Sequence, residues 1–405
     1  MKIVFLTFAG FDSFAGNNHL NITLLKSMLD KGYDVVLIQS NSGGEMPLIP
    51  KELSSYENLE VISIRKKFNK NNFIKRALEE IKFLYKASKY IKKSKADCLY
   101  YQTSGLLFVL NWFLTFNKTP MIVNVQDMFP DSIETTGVIK NKFVLNLVRH
   151  LQKAGYKKAK KITVLSDDMR NSLVEKYKVP ADKVEIVYNW YDDSNINDVI
   201  DENNVFIKKY GLKKDKFIVQ YAGNLGYVLN YDYFIELAKE LRNEKDVEIQ
   251  IVGDGSRLEV FKSKVEENNL GNISFLPLQP QETVADVYSY CDICLIPLKQ
   301  GVIRHSVPSK VGIVMACKKL VLLSCDEDSK YGELLNGIGC FVGVNDYKRG
   351  ADFIREMRDD REKYQSLVNK AYEFNTKTFS STENIKRLMG VINEVINENC
   401  NIRNE

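Results

Sequence analysis

The sequence predicts an α/β protein of two consecutive domains, each built on a parallel, Rossmann-like sheet. Three observations carry this. The chain has 405 residues, too many for one hydrophobic core and ordinary for two. Its composition, 44% hydrophobic and 27% charged without a low-complexity tract, is that of a water-soluble globular chain. Short apolar runs alternate with segments of helical periodicity, and a strand–helix–strand order implies parallel pairing.

The elements follow in order. Residues 2–8 form the first apolar run and 10–18 are turn-rich. Leu20, Leu24, Leu25, Met28 and Leu29 recur at helical spacing, Gly32 stops that helix, and 34–38 begin a second strand. The loop of this βαβ unit is not a dinucleotide fingerprint, because Gly10 and Gly16 lie six apart with Phe, Asp and Ser between them. Strands at 61–64, 98–102, 121–125, 161–165 and 184–188, with helices at 142–161 and 169–177, complete a first domain of residues 1–200. Residues 192–206 lose periodicity and read as a linker. The second domain, 206–384, repeats the plan. Strand 216–222 runs into Gly223-Asn224-Leu225-Gly226, strand 247–252 into Gly253-Asp254-Gly255, and strands 273–276 and 293–297 follow, with helices at 231–243 and 282–290. Ligands of open parallel sheets gather at the carboxyl ends of strands, so the loops after Phe8, Val125, Ala222, Val252 and Pro297 are expected to converge on one cleft.

Composition excludes several classes. The longest apolar window, 105–116, is 12 residues, short of the roughly 20 that span a bilayer. The N-terminal run MKIVFLTFAG starts as a signal sequence does, but Gly10 and Asp12 cut it short and no small-residue cleavage pattern follows; a buried strand is the better reading. Seven scattered cysteines, an odd number, point to a reducing, cytoplasmic setting. Cys291 and Cys294 make a C-x-x-C, yet no second pair or nearby histidine completes a metal site, and two buried small hydrophobes are expected.

Charge is uneven. The net charge is +5, and residues 1–200 hold 29 Lys and Arg against 21 Asp and Glu. From Arg65 to Lys95, 12 cations face only Glu79 and Glu80, interleaved with Phe68, Phe73, Phe83, Leu84, Tyr85 and Tyr90. Such a stretch fits an anionic membrane surface, with Phe73, Phe83 and Tyr85 inserting, or a solvated helix on a core. A nucleic-acid partner is not expected, since no nucleic-acid-binding motif accompanies it.

The chemistry concentrates after Pro297. A loop carrying Lys299, Arg304, His305, Ser306, Ser309 and Lys310 leads into an apolar helix pattern from Val311. Strand, cation-bearing loop and helix start together suit a phosphate, because the first helical turn leaves backbone N–H groups and a positive dipole end. Pro308 fixes the chain entering the turn and Lys310 supplies a point charge. The alternative is an ordinary solvated loop.

The order IVQYAGNLG, IQIVGDGSRLEVF, ISFLPLQPQETVADVYSYCDICLIPL and VPSKVGIVMA resembles the C-terminal half of family-four retaining glycosyltransferases of GT-B fold. VQDMFPDS at 125–132 with VYNWYD at 187–192 resembles the branch typified by bacterial L-fucosaminyltransferases of the WbuB type. The resemblance implies a GT-B architecture, two Rossmann-like domains facing across a cleft, with a C-terminal helix at about 385–405 packing back on the first domain. It implies a nucleotide-sugar donor held mainly by the second domain, UDP-linked and carrying an N-acetylated amino sugar. The acceptor, polyprenyl-diphosphate-linked or another saccharide, lies on the first. Transfer retains anomeric configuration, with no cofactor and no required metal, at the inner face of the plasma membrane in surface polysaccharide synthesis.

The site residues follow from the matched motifs. Lys310, Ser309, Arg304 and the backbone at Gly223, Asn224, Gly226 and Gly253 would stabilise the leaving diphosphate, with Gly16 approaching from the first domain. Asp127 would orient the acceptor hydroxyl or take its proton, capping of the helix after Pro130 being its alternative role. Two departures stand out. The family's Glu-x7-Glu positions hold His305 and Ile313, which leaves ribose and sugar contacts to Asp254, Gln281 or Glu282. The family's Arg and Lys after the first strand of this domain are also missing, as 224–230 contains no cation. Two other readings remain open, a nucleotide-sugar epimerase of GT-B fold and an inactive sugar-nucleotide-binding scaffold.

Overall fold

The computed structural model describes residues 1–12, 18–41, 43, 48–66, 73–102, 105–137, 139 and 141–404. They form two compact units, Met1–Asn189 with Ser381–Glu405, and Trp190–Ser380.

The first unit opens with β1 (Lys2–Thr7), α1 (Asn18–Asp30), β2 (Asp34–Asn41), β3 (Leu59–Arg65) and α2 (Phe73–Ser94). It continues through β4 (Cys98–Gln102), α3 (Leu107–Phe113), β5 (Met121–Asn124), α4 (Asp131–Thr136), α5 (Lys142–Lys158), β6 (Lys161–Val164), α6 (Asp167–Glu175) and β7 (Val184–Ile186). The strands make one parallel sheet in the order β3-β2-β1-β4-β5-β6-β7. β4 is buried along its whole length and β1 from Ile3 onward, as expected of strands covered on both faces.

The second unit repeats the plan with α7 (Val205–Tyr210), β8 (Phe217–Asn224), α8 (Tyr231–Glu240), β9 (Val247–Asp254), α9 (Leu258–Glu267) and β10 (Ile273–Leu276). Then come α10 (Val284–Tyr290), β11 (Ile293–Pro297), α11 (Val311–Ala316), β12 (Leu320–Cys325), α12 (Lys330–Glu333), β13 (Cys340–Gly343), α13 (Tyr347–Asp359) and α14 (Arg361–Thr378). Its parallel sheet runs β10-β9-β8-β11-β12-β13, so the strand order reverses at β8. Connections on either side of such a reversal leave for opposite faces and open a crevice between their loops.

The chain then returns. α15 (Ser381–Asn404) packs on α1, β4 and β6, with Asn399 donating to the Asp97 carbonyl at 3.1 Å and Lys160 paired to Glu398 at 2.6 Å. The first unit ends at Asn189, short of residue 200, and 190–205 cluster with the second unit. Trp190 and Tyr191 are buried, Tyr191 N–H donates to the Phe379 carbonyl at 3.1 Å, and Val199 N–H donates to Ser289 Oγ at 2.8 Å. Asn204 caps α7 by accepting from Phe206 and Ile207 N–H at 3.0 Å each. Polar and backbone contacts hold this segment, which is why it shows no apolar period.

No described helix is long and apolar enough to cross a membrane. Cys291 and Cys294 are buried free thiols. Burial pushes the Cys294 thiol up to about 12, so it stays protonated.

Candidate active site

β8 and β9 stay paired to their last residues, Gly223 opposite Gly253 and Asn224 opposite Asp254. A Cβ on Gly253 would lie 2.2 Å from the Gly223 carbonyl oxygen, so this glycine is required by the approach of two strands, with or without a ligand. Gly223 differs. Its φ of +139° favours glycine, and a Cβ there would lie 2.8 Å from Lys310 Nζ. Beyond it, Leu225 N–H donates to the Asp254 carbonyl at 2.8 Å, and Tyr231 Oη donates to the Gly226 carbonyl at 2.9 Å. These bonds fix the backbone of the turn. Asn224 and Asp254 stand exposed beside it.

Lys310 occupies the N-cap position of α11 and reaches back over the end of the sheet. Its Nζ donates to the Ala222 carbonyl at 2.8 Å and lies 4.0 Å from the centre of the Tyr221 ring. Tyr288 Oη donates to the same carbonyl at 3.1 Å. The residue as a whole is half-buried, but its ammonium end is enclosed, and burial pushes its pKa down to about 8. No described carboxylate lies within salt-bridge distance of it. A sunken cation beside Gly223, with a carbonyl and a ring face in place of a counter-ion, gains by taking up an anion.

The other predicted residues divide. Ser309 is exposed at the start of α11. Arg304 donates to both carboxylate oxygens of Asp328 at 2.6 and 2.7 Å and lies 3.7 Å from Asp326, so its charge is already matched. Gln281 and Glu282 begin the exposed turn before α10, on the edge that also bears the ends of β8 and β9. Gly16 lies outside the described residues. Asp127 belongs to the first unit, exposed in the loop after β5. The N-cap of α4 is Pro130, and Gln126 is held by Asn124 at 2.6 Å and Asn189 at 2.9 Å. Asp131, four residues on, is fully buried and accepts from Arg149 at 2.9 and 3.0 Å, from Lys176 and from Tyr177 Oη.

Two further cations flank the turn: Lys299, which the sequence placed only within the cation-bearing loop, and Arg257, to which it assigned no role. Lys299 follows β11, and its N–H donates to the Val228 carbonyl at 2.9 Å; Asn230 N–H donates to the Pro297 carbonyl at 3.0 Å. Arg257 opens α9, with its N–H on the Leu225 carbonyl at 3.0 Å and its guanidinium 5.6 Å from the Tyr227 ring. The cation-free loop 225–230 is thus bracketed by two cations from its neighbours. Burial lowers the Lys299 pKa, and Arg257 and Lys264 lower it further against Asp232. A signal was present: each cation follows within a few residues of a neighbouring strand's last residue, Asp254 or Pro297. Among the described residues no group of three or more His, Cys, Asp or Glu side chains is arranged to hold a metal.

Residues 18–195 match the model of Glycosyltransferase Family 4, and residues 202–374 match that of Glycosyl transferases group 1. Glycosyltransferase models thus match both halves of the chain. This glycosyltransferase is 25% identical over 296 residues to WbjE of Pseudomonas aeruginosa, named as a glycosyltransferase, covering 71% of this chain and 73% of that one. It is 24% identical over 217 residues to WcaI of Escherichia coli, named for a glycosyl transferase of colanic acid biosynthesis, covering 53% of each chain. The solved structure of HepE from Anabaena, in complex with UDP and glucose, shares the fold at a TM-score of 0.76 and 14% identity, over 97% of this chain and 100% of that one.

Proposed function

We propose that this glycosyltransferase moves a hexosyl group, an N-acetylated amino sugar of the kind handled by the WbuB-type branch, from a UDP-linked donor to a lipid-linked or saccharide acceptor. Transfer retains anomeric configuration and serves surface polysaccharide synthesis at the inner face of the plasma membrane. The names of WcaI and of the HepE complex support the pathway class and the nucleotide. The observation that carries the donor site is Lys310, enclosed and without a carboxylate beside Gly223.

Breaking the sugar–phosphate bond builds negative charge on the leaving diphosphate, and pre-placed cations and N–H groups stabilise it without reorganising. Lys310 takes the oxygen where that charge develops. Lys299 and Arg257 supply the cations absent from 224–230, and Arg304 shapes the loop through Asp326 and Asp328. Asp254, Gln281 and Glu282 take the ribose and sugar hydroxyls, and Asp127 the acceptor proton. Fixed cations do the work of a metal in this reading. No observation favours the epimerase.

The test is release of nucleoside diphosphate from a panel of UDP- and GDP-sugars, with the product's anomeric configuration read by NMR. UDP release with a retained product is expected. Release of GDP alone, or an inverted product, overturns the corresponding part, and binding without any release leaves the inactive scaffold.

A further inference from the structure

The first unit leaves large apolar side chains uncovered on α3, in the turn after it and on α5. Phe116 is 94% exposed, Phe143 77% and Trp112 75%, with Leu147 half-exposed. On α5, Leu145, Gln152, Gly155 and Tyr156 face inward, while Phe143, Val144, Leu147 and Leu151 fall on a second side at helical spacing. α3 is locked against α5. Asn111 Nδ2 donates to the Gly155 carbonyl at 3.0 Å, Phe108 N–H donates to Gln152 Oε1 at 3.1 Å, and a Cβ on Gly155 would meet Leu107 at 3.0 Å. Lys158 Nζ holds the carbonyls of Asn111 and Leu114 at 3.3 and 3.0 Å. The outward side of this pair is therefore rigid.

The basic helix lies alongside. Phe113 of α3 meets Tyr85 of α2 at 5.4 Å and stacks on Trp112 at 5.7 Å. Lys75, Lys82, Lys86, Lys89 and Lys93 are exposed on α2; Glu79 is paired to Lys82 at 2.8 Å, and Glu80 is buried, accepting from Leu106 N–H at 3.0 Å. Neither α3 nor α5 contains an acidic residue. One expected anchor is lost, because Phe83 is 1% exposed and belongs to the core. The side chain of Phe73 lies outside the described residues. α2 thus contributes mainly charge, and the apolar anchors are on its neighbours.

We propose that α3, the turn after it and the outer stripe of α5 insert shallowly into an anionic bilayer, with the lysine row of α2 at the headgroups. The purpose, though not the geometry, rests on the reading that the acceptor is lipid-linked. A large apolar patch rimmed by one sign of charge marks an interaction surface, and aromatic and aliphatic anchors beside lysines are what an interface helix presents to anionic lipid. A second copy of the chain would bring lysine rows against each other, and a nucleic acid would leave Phe143 and Leu147 without a role. Binding then has an apolar part that salt does not screen and an electrostatic part that it does.

Trp112 reports the event directly, since the only other tryptophan, Trp190, is 5% exposed. Vesicles of phosphatidylglycerol and phosphatidylcholine, with brominated acyl chains, should quench the full-length protein, and Trp112→Phe should remove the quenching. A variant carrying Phe116→Ser, Phe143→Ser and Leu147→Ser changes exposed positions only. It should partition at least roughly tenfold more weakly at both low and high salt, because each side chain gives up buried apolar area. Lys82→Glu, Lys86→Glu, Lys89→Glu and Lys93→Glu together should weaken binding at low salt only. The proposal is overturned if Trp112 is not quenched, if the apolar variant binds as the wild type does, or if light scattering without vesicles shows a dimer that this variant abolishes. Stabilisation by UDP, measured without vesicles, should be equal in wild type and apolar variant. Its absence in both would count against the transferase reading while quenching still upheld the docking surface.

Discussion

An ammonium group held against a carbonyl and a phenol ring can exchange a proton near neutrality, which makes Lys310 the residue whose chemistry is easiest to read out. Its folded pKa of about 8 lies below its ordinary value because burial disfavours the charge. The cost to stability is therefore fully present below pH 8 and is relieved as pH rises toward the unfolded value. Two outcomes follow. kcat/KM for the donor should fall as pH rises through about 8, and calorimetry at pH 9 in buffers of different ionisation enthalpy should show a proton taken up with UDP. Lys310→Ala should reduce turnover by roughly 10- to 100-fold, the value of one charge-assisted contact of about 1.5–3 kcal/mol, without lowering the calorimetric transition of the second unit at pH 7. Gly223→Ala should mimic it, because φ +139° strains alanine and the new Cβ lies 2.8 Å from Nζ; turnover equal to wild type would refute that coupling. Gly223 was legible in sequence because it sits in a short motif at a strand end, and Lys310 because it closes the loop that enters α11. The matching of Arg304 by Asp328 was not, since nothing in a solvated loop shows which carboxylate folds over it.

At the scale of elements, the site is a property of strand ends. β8 and β9 pair to their last residues, and β11 lends its final carbonyl to Asn230, so three loops start from one rigid edge. That edge was legible, because apolar runs of strand length stop at Gly223, Gly253 and Pro297. The partnership of Lys299 and Arg257 around 225–230 was hidden by their separation along the chain. The burial of Phe83 was hidden too, because a helix with aromatics on two sides does not declare which side is the core. Removing both cations, Lys299→Ala with Arg257→Ala, should weaken UDP binding more than either change alone. Each charge-assisted contact is worth about 1.5–3 kcal/mol, reduced where water screens it. If the double variant binds UDP with wild-type affinity in titration calorimetry, the two cations only tether the loop. Asp131 belongs to this scale as an anchor, joining α4 to α5 through Arg149 and to Lys176 beyond α6. Asp131→Asn should destabilise the first unit by about 3 kcal/mol, as removing one partner of a buried pair does, and leave UDP affinity in the second unit unchanged.

The whole molecule is two cores on one chain, so a single melting temperature is not a well-defined quantity for it. The returning helix decides how the two are wired: Leu388, Met389, Ile392, Val395 and Ile396 of α15 are buried in the first unit, although they follow the entire second unit in sequence. Differential scanning calorimetry separates the parts. UDP at 100 times its Kd should stabilise the unit that binds it by RT ln(1 + [L]/Kd), about 2.7 kcal/mol. For a domain of this size that raises the transition by roughly 5–10 °C. The gain should fall on the transition of the second unit alone, because Lys310, Gly223, Lys299 and Arg257 all lie within Trp190–Ser380. A chain ending after Ser380 would lower the first unit's transition by removing α15 and still show the UDP shift in the second. If UDP instead raised the first unit's transition, the nucleotide would be bound by the unit that holds Asp127, and the assignment of donor and acceptor to the two units would have to be exchanged.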